Sequence, residues 1–260
     1  MSARLELQGL GKSFDGLPVI HNLSFVAAEG AITGLMGPNG AGKTVLIDLI
    51  TGQLAAGHGH IRLITAEGDD ELSGLRPDTI AALGVARTWA DTRMLGAMSV
   101  LDEVIIGAYS RRDVSLLASV LGLPAARLRM AEVAARARGL LELVGLADRA
   151  QSRAENLSRA DAMRVGIARA LAADPALLLL DGPANGLDAR DIAETAELVH
   201  VLRDAGITIL LADRNMKLIA DCCDHVVALD AGAVIAEGAA QECFAHPAVQ
   251  RAYFGAAAAC

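Results

Sequence analysis

The chain has 260 residues, 31 acidic against 23 basic, a net charge of −8, and 53% hydrophobic against 21% charged side chains. That supplies core for one large domain or two lobes and places the chain in a soluble globular class. An acidic balance without a Lys/Arg cluster argues against a nucleic-acid partner, so an anionic ligand needs a local site.

The four cysteines, Cys222, Cys223, Cys243 and Cys260, form no repeated C-x-x-C pair. Neither a zinc site nor a disulfide framework is expected, and a reducing cytosol fits. The opening "MSARLELQGL" lacks a basic segment followed by an apolar one. No run approaches the roughly 18 to 20 apolar residues of a membrane span, so any membrane role is expected to come through a partner.

In chain order, "RLELQGL" and "NLSFVAA" alternate in the strand manner, and "AITGLMG" is a short apolar run ending in glycine. "GPNGAGKT", Gly37 to Thr44, follows, and "KTVLIDLITG" then shows helical spacing closing on Gly52. The glycine stretch fits G-x-x-x-x-G-K-[ST] between a strand and a helix. Its chemistry is phosphate binding. In the loop Gly37, Pro38, Asn39, Gly40, Ala41 and Gly42 the glycines let backbone N–H groups, which Pro38 alone lacks, turn inward on phosphate, Lys43 reaches the β/γ-phosphates, and Thr44 ligates Mg²⁺. The bland alternative is a glycine-rich turn with a solvated lysine, which the flanking strand and helix disfavour.

Between about Ala97 and Ala154 the texture becomes Leu/Ala/Arg-rich with helical spacing, broken at Gly145. Strands return in "ALLLLD", "GITILLA" and "HVVALD", separated by helical stretches such as "ARDIAETAELVHVLRDA". The run "LLLLDGPANGLDAR" delivers Asp181 from a buried strand, placed to hold magnesium directly or through water. The ending "GAAAAC" reads as a frayed tail.

"GKSFDGLPVIHNLSF", "GPNGAGKT", "GVARTW", "LSRADAMRVGIARALAADP", "LLLLDGPANGLD" and "ITILLADRN" occur in the order and approximate spacing of an ABC-transporter ATPase subunit. "LGVARTWADTRMLGAMSVLDEVIIGA" and "GAVIAEGAAQECFAHPAVQRAYFG" further resemble the LivG-type subunit of branched-chain amino-acid importers. The resemblance implies an L-shaped α/β P-loop NTPase core of the ABC type with an α-helical subdomain insert. Residues 1–89 and 157–240 would form the nucleotide-binding core, 90–156 the helical subdomain, and 241–260 a C-terminal helix and tail. It implies ATP and Mg²⁺ as cofactors, Thr44 and Asp181 as metal ligands, and Phe14 as the ring stacked on adenine, against the alternative of a core phenylalanine. Its partners would be a second ATPase subunit and transmembrane permease subunits, with the chain at the cytoplasmic face of the membrane.

The chain departs from that pattern where hydrolysis would occur. Ala90 stands where the family has a glutamine that senses magnesium and water, Gly182 where it has the glutamate base, and Arg214 where it has the switch histidine. The signature stands as "LSRAD", Leu157, Ser158, Arg159, Ala160 and Asp161. There the Ala160 methyl is expected to obstruct close approach to a γ-phosphate, and Asp161 to bring negative charge towards it. Val45 removes one hydroxyl near the α-phosphate. Asp188 is either part of the loop that meets the second subunit or a helix N-cap. Asp91 and Asp213 neighbour two of the altered positions, but a one-residue shift on a strand is expected to turn a side chain to the opposite face.

Three readings stand at this stage: a transporter subunit whose own site is degenerate, a non-hydrolytic regulatory or structural ATP-binding subunit, and an active ATPase using other residues.

Overall fold

A computed structural model describes residues 2–89, 94–109 and 124–255. Ala90, Asp91 and Cys260 lie outside the described residues.

The chain opens with β1 (Ala3–Phe14) and β2 (Leu17–Ala27), then β3 (Ile32–Met36), α1 (Lys43–Ile50), β4 (His58–Thr65) and β5 (Gly68–Glu71). After α2 (Pro77–Ala82) and β6 (Val85–Arg87) come α3 (Val100–Ala108), α4 (Pro124–Leu143) and α5 (Arg159–Leu171). Next are β7 (Leu177–Asp181), α6 (Ala189–Asp204), β8 (Thr208–Asp213), α7 (Met216–Cys222), β9 (His225–Asp230) and β10 (Ala233–Gly238). Two helices close the described chain, α8 (Ala240–Ala245) and α9 (Pro247–Phe254). The single helix expected within 241–260 is therefore two, because Pro247 cannot continue α8 and instead starts α9.

Strands β2-β1-β4-β5 make an antiparallel sheet, and β10-β9-β3-β8-β7-β6 a second sheet that is parallel except for β10 on β9. A parallel strand is covered on both faces, which is why its sequence runs apolar without alternation. The four leucines of β7 show it. Leu178 and Leu180 enter the core shared with α3, α4, α5 and α6, while Leu177 and Leu179 enter the core between the two sheets. Successive side chains on a strand point to opposite faces, so one run serves both cores.

Strands β4, β5, β6 and β10 complete the sheets beyond what apolar runs announce. β4 carries His58, His60 and Arg62 outward, and β5 is "GDDE". β4 is held by pairing with β1, and β5 by pairing with β4, more than by their own hydrophobicity. β1 also runs beyond "RLELQGL", through register shifts around Gly9 and Gly11. Helix α1 ends as expected, with Thr51 at the C-cap and Gly52 at φ +70 beyond it.

Candidate functional site

β3 is buried along its whole length and points into the turn that begins α1. The helix N-cap is Gly42, at φ +100, where an added Cβ would lie 2.9 Å from Ile20 Cδ1. That backbone and that contact both require glycine. The amides of Gly42, Lys43 and Thr44 meet no acceptor among the described residues, as expected at a helix N-terminus. They border a cavity of about 500 Å³ whose wall also includes Asp181, Gly182, Asp213 and Arg214.

The Lys43 ammonium turns back on its own loop, donating to the carbonyl oxygens of Gly37 at 2.5 Å and Pro38 at 2.9 Å. Burial pushes its pKa below the usual lysine value, opposed by Asp213 and Asp181. An anion entering the loop would restore what burial removes, since a charged partner favours the ammonium form.

Asp181 is 6% exposed at the end of β7. Its Oδ2 accepts from Arg87 Nη2 at 2.8 Å, and Arg87 Nη1 donates to Asp48 at 2.5 Å. Burial raises the Asp181 carboxyl above the usual range, and the Arg87 hydrogen bond and charge pull it back. Asp181 Oδ1 has no donor among the described residues. Together with the Thr44 hydroxyl on the same cavity wall, it is a hard oxygen pair suited to Mg²⁺, which keeps most of its waters and needs few protein ligands.

Gly182 adopts φ +62. Its amide donates to Ala212 O at 2.7 Å and its carbonyl accepts from the Asn185 amide at 3.0 Å. The wall beside Asp181 is thus backbone. Arg214 lies exposed on the same wall, and its guanidinium has no hydrogen bond or ion pair with a described residue. It can attract a phosphate but cannot accept a proton.

Asp213 requires a correction. It does not turn to the far side of β8 but lines the cavity, because the strand ends there and the chain bends into α7. Its carboxylate is already occupied, accepting from the amides of Ala184 at 2.8 Å, Arg214 at 2.7 Å and Asn215 at 2.8 Å. It clips the turn after β7 to the turn after β8.

Two expectations for the signature change. Ala160 is 7% exposed, its methyl packed inward, so it does not present an obstruction at the surface. Asp161 sits in the first turn of α5 with Arg149 at 4.0 Å, where helix amides and a guanidinium offset its charge. Ser158 is the N-cap of α5, accepting from the Asp161 amide at 3.1 Å. Arg159 instead covers Gly186, where a Cβ would meet its Nε at 2.9 Å. Leu157 is half-buried beside the α-helical core. None of these five residues lines the cavity around Lys43.

Phe14 is 40% exposed, which removes the core-phenylalanine alternative. It stands outside the cavity lining, with Lys12 Nζ 5.1 Å from its ring centroid. Val45 lies on the cavity wall and packs against the core between the sheets. Asp188 caps α6, accepting from the Arg190 and Asp191 amides at 2.9 and 2.8 Å.

Sequence reasoning missed Arg87, Asp48 and Tyr253. Arg87 sits inside "GVARTW" and could have been suspected as a cation beside a buried carboxylate, but only the sheet order shows β6 next to β7. Tyr253 reaches from α9 to a neighbouring cavity of about 520 Å³ that includes Pro38, Asn185 and Arg214. Its hydroxyl is buried close to the Gly37 backbone, and burial pushes its pKa up to about 12.

Residues 20–185 match the family profile described as ABC transporter. The chain is 35% identical over 254 residues to the high-affinity branched-chain amino acid transport ATP-binding protein LivG of Salmonella typhimurium, covering 97% of this chain and 98% of that protein. It is 32% identical, over the same shares, to the corresponding protein BraF of Pseudomonas aeruginosa. Among solved structures it superposes on the ADP conformation of an ATP-binding cassette of an ABC transporter with a TM-score of 0.83 at 25% identity, covering 98% of this chain and 100% of that one. A strand-to-helix phosphate loop, a buried carboxylate at the end of β7 facing the same cavity, and near full-length similarity lead to one conclusion: the chain belongs to the ABC transporter family, as an ATP-binding subunit.

Proposed function

We propose that this chain binds Mg·ATP as the nucleotide-binding subunit of an importer of branched-chain amino acids or similar small solutes, with its own hydrolytic site degenerate. One observation carries the reading: the cavity retains Lys43, Thr44 and Asp181, while the wall where a base and a proton-relaying histidine would stand is Gly182 backbone and the Arg214 cation. A positioned general base contributes about 10² to 10⁴-fold, and phosphoryl transfer depends on aligning water and stabilising charge, so little turnover remains without these groups.

Bound Mg²⁺ would shield the β- and γ-phosphate oxygens. Lys43 and the loop amides hold the phosphates, Thr44 and Asp181 hold the metal, and Arg214 adds positive charge towards the terminal phosphate. Phe14 packs on the base once a nucleotide extends towards β1.

The chain pairs with a second ATP-binding subunit, homologous or identical, and docks on permease subunits at the cytoplasmic face of the membrane. Among the described residues no helix is long and apolar enough to cross a membrane, so attachment falls to partners. A groove of about 370 Å³ with Trp89 46% and Ile106 37% exposed supports permease docking between the sheet and the α-helical segment. The helical segment 90–156, which contributes Ile106 and Gly107 to this groove, is proposed as a separate lobe against a core of 1–89 and 157–240.

The test is ATP binding by titration calorimetry. Lys43→Ala should abolish measurable affinity, because the ammonium and loop amides carry most phosphate recognition. Undiminished affinity would refute the phosphate-loop reading.

A further inference from the structure

The Arg87 side chain is 5% exposed, yet it touches two other elements and an aromatic ring at once. It leaves β6 and donates from Nη1 to Asp48 Oδ1 on α1 at 2.5 Å and from Nη2 to Asp181 Oδ2 at the end of β7 at 2.8 Å. Its guanidinium lies over the Trp89 ring, 4.2 Å from the centroid. The inner Nε is buried without a partner, so two carboxylates and one aromatic face hold the group.

The placement of those carboxylates matters. Asp48 lies four residues after Thr44 on α1, hence on the same side of the helix, one turn along. The guanidinium therefore links the helix that carries Thr44 to the strand that carries Asp181. Those are the two residues whose oxygens would flank a magnesium ion. By taking Asp181 Oδ2, Arg87 also fixes the carboxylate's rotation and leaves Oδ1 for the cavity. A planar fork with fixed donor directions can do this, whereas a point charge on a flexible stem cannot hold two acceptors at a set spacing.

We propose that Arg87 is a positioning residue for the metal: it sets the spacing and orientation of Thr44 and Asp181 by bridging Asp48 to Asp181, and so determines how strongly Mg²⁺ enhances nucleotide binding. This rests on the Mg·ATP reading above. It predicts that Arg87 acts on the coupling between metal and nucleotide and leaves recognition of the nucleotide alone to the loop.

The experiment measures the affinity of a fluorescent N-methylanthraniloyl ATP for the full chain, in EDTA and at saturating Mg²⁺, in wild type, Arg87→Gln and Arg87→Lys. The readout is the ratio of the two affinities. In Arg87→Gln the affinity in EDTA should stay within about twofold, while the Mg²⁺ enhancement falls about tenfold, as when a group orienting a metal ligand is removed. Arg87→Lys keeps the charge but reaches one carboxylate, so it should recover part of the enhancement.

Equal loss of affinity with and without Mg²⁺ would mean Arg87 is merely structural, and an unchanged enhancement would overturn the proposal outright. If Arg87→Gln shows no cooperative thermal transition, Arg87→Lys decides alone. A reduced enhancement at constant EDTA affinity supports the role, and a wild-type enhancement contradicts it. A wild-type chain that binds no nucleotide, or binds it indifferently to Mg²⁺, would instead bring down the Mg·ATP reading, and this inference with it.

Discussion

Gly182 has φ +62, in the left-handed region, and both its amide and its carbonyl are hydrogen-bonded in that conformation. Gly182→Glu therefore meets a conformational obstacle as well as a chemical one. The left-handed backbone costs an L-residue about 1 to 2 kcal/mol. A thermal melt should show that loss in Gly182→Glu and also in Gly182→Ala, which separates strain from charge.

Phosphate release from Gly182→Glu should remain near background, because a lone carboxylate lacks an aligned water. The triple variant Ala90→Gln, Gly182→Glu, Arg214→His should exceed the sum of the singles, since residues acting as a unit are restored as a unit. Ordinary turnover from the single variant would show that the missing glutamate is the whole defect. Phe14→Ala should weaken ATP binding by about 1 to 3 kcal/mol if the ring stacks on the base.

The thiols give a separate residue-scale test. Burial raises Cys223 well above the usual thiol value and Cys222 to about 12, and Cys243 is 1% exposed. Thiolate is the reactive form, so none of the three should react quickly with a disulfide reagent at pH 8 until the chain is unfolded. Rapid labelling of Cys222 in the native protein would contradict the packing described.

At the scale of elements, Asp213 joins β8 to the turn after β7 through three backbone amides, one of them on Ala184. Asp213→Asn replaces one acceptor oxygen with a donor, leaving a buried amide facing an amide. The expected loss is about 1 to 3 kcal/mol, read from denaturant unfolding. A neutral result would mean the clip is dispensable.

The same residue shows where sequence reading stops. Alternation along β8 gave its direction wrongly, because the pleat ends at the last residue of the strand. β7 and β8 were legible from apolar runs, and the phosphate loop from its glycine spacing. β4 and β5 were not, since partners and not patterning hold them. Arg87 was hidden for another reason: its two acceptors lie 39 and 94 residues away in sequence. Ala160 was misjudged because a helix N-terminus can turn a signature methyl inward, which residue type alone does not reveal.

For the whole molecule, the proposed function separates holding a nucleotide from cleaving it. Lys43 and Thr44 open helix α1 and Asp181 ends the buried strand β7, whereas Gly182 and Arg214 stand in turns that follow β7 and β8. Under that proposal, changes confined to turns leave the sheet intact, and ATP occupancy would persist as a means of closing two subunits.

The most direct measurement is the identity of the bound nucleotide after the purified chain has been incubated with Mg·ATP and quenched. The recovered nucleotide should be ATP, with phosphate release at the level of a Lys43→Ala blank. Recovery of ADP with continuing phosphate release at about 1 per second or faster, an ordinary enzymatic rate, would contradict it.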